Sequence, residues 1–305
     1  MGTPIFASVS LNGLLHEKMN VVAVVTAPDR PAGRGLKMQS PPVKICALKA
    51  GIPVLQPEKL RDQDFIKTLH KAKPDVMTVV AFRILPEEVF SIPPLGTINV
   101  HGSLLPKYRG AAPINWAIIK GETETGVTTF FIKKEVDTGN LIEQVKIQIP
   151  PDMTAGELHD IMAVVGAQLL IKTLRKLAQG DITAMAQDEM LVTKAPKIKR
   201  EDCRINFNQS AKQVHDFIRG LSPVPAAHTF LIGRMCRLFD SKISDIGSDG
   251  PPGTILGTTP DGKRLVINCA EGCITIGMIQ LEGKRLMCVA DFLRGYAVPA
   301  GTLLR

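Results

Sequence analysis

Asn99-Val100-His101-Gly102-Ser103-Leu104-Leu105-Pro106 places an amide and an imidazole two residues apart, where a β-branched run meets a turn. In a strand, residues two apart project to the same side. Asn99 and His101 therefore share one face at a strand end, where open α/β sheets carry their sites. Asn supplies two amide donors without charge, and His is the side chain that titrates near neutral pH. A carboxylate such as Asp137, in Asp137-Thr138-Gly139, can orient that imidazole and favour its charged form. An uncharged donor, an acid/base group and a carboxylate are what acyl or formyl transfer requires, to hold a developing oxyanion and to move protons. Taken singly, Asn99 also suits a turn, His101 a surface position and Asp137 a helix cap. Ser103 lies in the same turn without a nucleophile-elbow pattern, so no covalent intermediate is expected. His16, His70, His159, His215 and His228 read as structural, and no spacing suggests a metal site.

The elements that must position these groups alternate. Residues 21–26, 76–82, 97–100 and 127–132 are strand-like and rich in β-branched residues. Residues 41–50, 61–72 and 112–120 between them have helical spacing. Strands alternating with helices predict a mostly parallel sheet covered on both faces, an α/β, Rossmann-like domain. Thr154 with Glu157 predicts a capping box opening a long helix that ends at Gly180. Residues 181–203 lose periodicity and read as a polar linker. A helical stretch at 210–220 and short strand-like runs at 229–232, 235–239, 254–256, 264–269 and 272–281 follow, predicting a small barrel or sandwich. The expected organisation is thus a catalytic domain at 1–180, a linker at 181–203 and a β domain at 204–305.

The chain carries a net charge of +8. Residues 191–305 hold sixteen Lys/Arg against ten Asp/Glu, a balance of +6, so the excess lies mainly in the last third. With one Trp and two Tyr there is no aromatic platform for single-stranded bases, and shape and phosphate contacts to a structured RNA fit better. Asp29-Arg30-Pro31-Ala32-Gly33-Arg34-Gly35-Leu36-Lys37 is an irregular basic loop following a strand, on the same rim as Asn99 and His101. Arg30, Arg34 and Lys37 there, with Lys197, Lys199 and Arg200 in the linker, could position an RNA backbone without reading bases. Six scattered cysteines without a C-x-x-C pair read as core thiols. No apolar run reaches membrane-spanning length and no secretory segment opens the sequence, so a cytoplasmic protein without a membrane partner is expected.

Asn-x-His-Gly-Ser-Leu-Leu-Pro-Lys-Tyr-Arg-Gly, then Ala-Pro-Ile-Asn-Trp, Gly-Val-Thr and Asp-Thr-Gly, resembles the folate-dependent formyltransferases. Over its whole length, and in the Arg-rich loop above all, the chain is similar to the tRNA-formylating branch of that family. The resemblance implies Asn99, His101 and Asp137 as the catalytic trio and 10-formyltetrahydrofolate as formyl donor. It implies initiator methionyl-tRNA as acceptor, in the service of translation initiation, and a monomer needing no metal. Phe82, Arg83, Ile84 and Leu85, with Ser103, Leu104, Leu105 and Pro106, are the implied donor-binding residues. The resemblance also implies that residues 204–305 form an OB-like β-barrel that binds tRNA.

Two alternatives stay open on sequence. Relatives that hydrolyse formyl-folate or formylate an amino-sugar nucleotide carry nearly the same core motif, and a non-catalytic RNA-binding protein would fit the charge. One departure is marked: the family opens with a short apolar strand before Gly-Thr-Pro, in the interior of the sheet, whereas this sequence reads Met1-Gly2-Thr3-Pro4. The expectation is a start site placed too far downstream, with the short form folding poorly because ladder groups are exposed.

Overall fold

The computed structural model describes residues 1–32, 37–247 and 250–305. In chain order the first half contains α1 (Ile5–His16), β1 (Val24–Val25), β2 (Arg30–Ala32), β3 (Lys37–Gln39), α2 (Pro42–Lys49), β4 (Val54–Leu55), α3 (Gln63–Ala72), β5 (Met77–Val80), α4 (Glu87–Phe90), β6 (Thr97–His101), β7 (Arg109–Gly110) and α5 (Pro113–Ile119). There follow β8 (Glu124–Phe131), β9 (Leu141–Gln148), α6 (Ala155–Gln179), β10 (Lys194–Ala195), α7 (Ala211–Gly220), β11 (His228–Leu231), β12 (Arg234–Ser244), β13 (Ile255–Thr258), β14 (Leu265–Asn268), β15 (Cys273–Leu281), β16 (Met287–Cys288) and α8 (Val289–Gly295). Among the described residues no helix is long and apolar enough to cross a membrane.

The chain packs as two units. One comprises Met1–Gly110, Thr125–Ile147 and His159–Ala195, the other Ala111–Glu124, Gln148–Leu158 and Pro196–Arg305. Packing thus divides the chain at more points than the cuts expected near 180 and 203. Residues 111–124 and 148–158 join the second unit through α7. The Asn115 amide donates to Gly220 O (2.8 Å), Arg219 Nη1 to Met153 O (2.9 Å) and His215 Nε2 to Pro151 O (3.1 Å).

The first unit is an α/β layer. β5 and β6 pair in parallel, with Val79 opposite Asn99 and Val80 opposite Val100. β6 pairs β8 antiparallel, with Asn99 opposite Phe130 and His101 opposite Thr128, and β9 lies beyond β8. β1 and β4 form a separate parallel pair. Between these pieces lie only the first two residues: Gly2 N–H donates to Val25 O (3.0 Å), and Val80 N–H donates to Met1 O (2.9 Å). Ile98, Val127 and Phe130 on the central strands are fully buried or nearly so, with Leu158, Met162 and Leu170 of α6. α6 opens on the expected capping box, Thr154 N–H and Glu157 carboxylate meeting at 2.8 Å. Those bonds hold the Glu157 carboxyl below its usual range.

Several elements depart from the sequence reading, three of them in the first unit with a plain physical reason. α1 was not predicted, because its β-branched and small residues lack a side-chain cap, yet Phe6, Ala7, Ser10, Leu11 and Leu14 bury one helical face. β9 is half exposed, so its alternation is masked by Glu143, Gln144 and Lys146. The strand expected at 21–26 contracts to Val24–Val25.

The second unit holds a curled antiparallel sheet in the order β11-β12-β15-β14-β13, with β16 on β15. The C-terminal residues reach both of its edge strands. Ile255 N–H donates to Thr302 O and Leu304 N–H to Gly253 O, while Phe230 and Arg305 exchange backbone bonds of 2.8 and 3.1 Å. Unpaired edges are thereby covered. Leu238, Ile255, Ile267, Ile274, Ile276, Val289 and Phe292 pack inside with Ile218 of α7 and Leu221 just after it. α7 begins with a second capping box, Ser210 with Gln213.

Candidate active site

His101 ends β6 one residue beyond its last β5 partner, Val100 opposite Val80, and the chain bends at Gly102 and Ser103. Its ring is 6% exposed and packs edge-on against Phe130 (centroids 6.4 Å apart). Nε2 lies 2.9 Å from Tyr108 O. A carbonyl only accepts, so Nε2 carries a proton. Nδ1 faces Asp137 Oδ2 at 3.7 Å, and both side chains are under 10% exposed. Acceptors thus face both ring nitrogens.

Asp137 lies on the turn between β8 and β9. Its Oδ2 accepts from Gly110 N–H (2.8 Å). The two residues that frame the imidazole, Tyr108 (φ 60°) and Asp137 (φ 57°), are both left-handed non-glycine residues. Each such conformation costs of order 1 kcal/mol and persists only where the surroundings impose it. Gly110 (φ 130°) lies so close to the parallel β10 strand that a Cβ would stand 2.4 Å from Ala195 O, so only glycine brings its N–H to Asp137. Asn99, two residues before His101, is partly buried, and its amide has no hydrogen-bond partner among the described residues.

The turn after His101 is fixed from below. Thr128 Oγ1 donates to Ser103 O (2.6 Å) and accepts from Leu105 N–H (3.1 Å) and the Gln144 amide (2.9 Å). Ser103 Oγ donates to Lys107 O (2.6 Å). Ser103 and Leu105 are buried, while Leu104 and Pro106 are half-buried. Residues 82–85 follow β5 at the same sheet end. Phe82 and Leu85 pack with Val25, Val79 and Val89. Arg83 donates to Pro57 O (2.8 Å) and Glu58 O (3.0 Å), and Ile84 is 74% exposed.

The basic loop forms a hairpin, β2 antiparallel to β3, with Arg30 exposed and Lys37 at the start of β3. Arg34 lies outside the described residues. Asp29 anchors the base of the hairpin, accepting from Lys44 (2.7 Å), Ser40 (3.1 Å) and Gln56 (2.8 Å). The Lys44 and Gln56 bonds hold its carboxyl below the usual range. Lys197, Lys199 and Arg200 are exposed in the second unit. Lys199 stands 3.6 Å from Glu201, and Arg200 reaches Met235 Sδ at 3.3 Å.

The sequence reading names side chains but not the groups that hold them. Tyr108 O and Gly110 N–H are backbone groups, which every residue has. Gln187 and Arg109 also escaped it: the Gln187 amide donates to both Asp137 O and Gly139 O at 2.8 Å. No local pattern signals such a bond across fifty positions.

Residues 1–174 match the family described as Formyl transferase, and residues 197–297 match Formyl transferase, C-terminal domain. The chain is 46% identical to Methionyl-tRNA formyltransferase of Bacteroides fragilis over 97% of its own length and 94% of that protein's. It is 47% identical to Methionyl-tRNA formyltransferase of Desulfotalea psychrophila over 100% of its length and 94% of that protein's. Among solved structures the fold is shared with WlaRD, a sugar 3N-formyl transferase (TM-score 0.65, 19% identity, covering 93% of this chain and 97% of that one). It is shared also with HypX from Aquifex aeolicus in complex with tetrahydrofolic acid (TM-score 0.60, 20% identity, covering 81% and 43%). With both halves matched and such relatives along nearly its whole length, this chain belongs to the formyl transferase family.

Proposed function

We propose that this chain transfers the formyl group of 10-formyltetrahydrofolate to the α-amino group of methionine on initiator methionyl-tRNA. One observation carries the reading: His101 faces Asp137 inside the sheet end, with the unpartnered Asn99 amide two residues along the same strand. Asn99 and the protonated His101 donate to the oxygen on which charge develops as the amine attacks. One such donor is typically worth about 10²–10³ in rate. Asp137 keeps His101 charged and oriented, and takes up, through water, the proton the amine releases. The neutral amine is the attacking form, and free α-amines titrate near pH ~8. A proton from His101 lets the folate nitrogen leave.

Exposed Ile84 and half-buried Leu104 and Phe82 offer apolar surface for the aromatic part of the donor, next to the polar pair. An uncharged amide donor beside an imidazole suits a formyl group, which is itself neutral. On the acceptor side, Arg30 and Lys37 on the paired strands β2 and β3, with Arg34 between them in the sequence, supply charge for the phosphates of an RNA stem. Lys197, Lys199 and Arg200 extend that charge along the chain, and the C-terminal sheet is read as an OB-like barrel that binds tRNA. The names of the full-length relatives favour tRNA over a sugar nucleotide. We further infer catalytic and tRNA-binding domains at 1–180 and 204–305 joined by 181–203, acting as a cytoplasmic monomer.

The test is formylation of charged initiator tRNA with 10-formyltetrahydrofolate, alongside His101→Ala and Arg34→Ala. Transfer by the wild type, abolished by His101→Ala and weakened mainly in tRNA KM by Arg34→Ala, is the expected result. Consumption of the formyl donor without labelled tRNA would leave the chemistry and overturn the acceptor.

A further inference from the structure

One segment after α6, residues 185–195, holds nearly everything that holds the His101–Asp137 pair. Met185 and Leu141 exchange backbone bonds of 2.8 and 2.9 Å, tying the segment to the start of β9. Gln187 Nε2 then donates to Asp137 O and Gly139 O, both at 2.8 Å. Its Oε1 accepts from Arg109 Nε (3.0 Å) and Nη2 (2.8 Å). Arg109 also meets the Glu189 carboxylate, at 2.8 and 3.0 Å, and that bond holds the Glu189 carboxyl below its usual range. Farther on, Thr193 Oγ1 accepts from Tyr108 N–H (2.8 Å) and Thr193 O from Arg109 N–H (2.9 Å). Lys194 and Ala195 continue as β10 beside β7.

The consequence is geometric. Tyr108 and Asp137 are the two left-handed residues whose oxygens face His101, and neither conformation is one its own residue prefers. Gln187 pins one of them through two carbonyls of the same turn, and Thr193 pins the other through its N–H. A planar amide has two N–H donors at fixed angles, which suits two carbonyls on one tight turn. We propose that Gln187 and Thr193 are positioning residues for the transfer reaction, fixing the His101–Asp137 separation from outside the catalytic motif. What the sequence presents as a polar linker is, over residues 185–195, part of the site's supporting framework. Glu189, 71% exposed, contributes little beside them.

The kinetic arm of the test rests on the formyl-transfer reading; a spectroscopic arm does not. Gln187→Ala should lower kcat by about 10²-fold while leaving KM for both substrates within about twofold. Gln187→Glu is the same size and still accepts from Arg109, but it turns a carboxylate oxygen toward two carbonyl oxygens. It should therefore lose as much as Gln187→Ala, whereas a packing role alone would leave it near wild type. Independently, the His101 imidazole resonances in a heteronuclear NMR titration, assigned by their loss in His101→Gln, should move in both variants without any substrate. If Gln187→Ala fails to fold, Thr193→Val, which removes only a hydroxyl, carries the same two readouts. Unchanged kcat together with unmoved His101 resonances in well-folded variants overturns the proposal. If the wild type itself transfers no formyl group, the functional reading falls and the His101 resonances decide the positioning role.

Discussion

Replacing Gly139 by alanine asks whether the Asp137-Thr138-Gly139 turn must lie where it does. The position is buried, and a Cβ there would stand 1.5 Å from Phe131 O and 2.7 Å from its carbonyl carbon. Both neighbours are backbone of β8, so no side chain can swing aside. Relaxing that contact to ordinary van der Waals separation requires the turn to retreat by about 2 Å. The Gln187 bond to Gly139 O is 2.8 Å long, so such a movement breaks it and carries Asp137 away from His101 and from Gly110 N–H. Overpacking of this kind costs about 1–3 kcal/mol, and each lost hydrogen bond about 1 kcal/mol more, giving about 3–4 kcal/mol in all. For a folding unit of this size that is a fall in Tm of roughly 10 °C. A displacement of this order in the carboxylate should lower kcat by about 10²-fold. Differential scanning calorimetry and single-turnover formyl transfer read the two effects separately. A Gly139→Ala protein that melts within about 2 °C of wild type and keeps kcat within about threefold would refute the reasoning, because the turn would then not rest on the Phe131 carbonyl.

Two further outcomes follow from the same geometry. Two opposite charges 3.7 Å apart interact by about 4 kcal/mol at an effective dielectric constant of about 20. Asp137→Asn, which keeps the shape, should therefore lower kcat by about 10³-fold with little change in KM; a kcat within about tenfold of wild type would remove Asp137 from the mechanism. Thr128→Val deletes a fully buried hydroxyl serving Ser103 O, Leu105 N–H and the Gln144 amide. With Ser103 O and Leu105 N–H losing this partner while the Gln144 amide keeps Leu105 O (2.8 Å), urea denaturation should show a loss of about 2–3 kcal/mol, and a loss below about 1 kcal/mol would contradict the network.

Much of this molecule is legible in its sequence because it is local. The period of β-branched residues marks β5, β6 and β8, and the Thr154–Glu157 and Ser210–Gln213 spacings open α6 and α7. Alternation along β6 is enough to place Asn99 and His101 on one side of the sheet, and Pro, Gly and Arg mark the β2–β3 hairpin as a basic loop. α1 escaped because tertiary burial, rather than propensity, makes it regular, and β9 because it has no buried face to mark it and becomes a strand by pairing with β8.

What brings the site together is not local. His101 and Asp137 are thirty-six positions apart, and they meet because β6 and β8 are neighbours and the turn after β8 returns over the strand end. Tyr108 O and Gly110 N–H then fix the pair, and backbone groups carry no sequence signature. The same holds for the ends of the second sheet, covered by Thr302–Arg305 mainly through main-chain bonds. Gln187 and Thr193 lie in a stretch without periodicity, so their composition reads as linker until the chain is folded. Sequence determined which side chains could do the chemistry, since residue type sets charge, donors and protonation. Only the tertiary structure decided which of them meet, at what distance, and what holds them there, since that depends on the path of the whole chain.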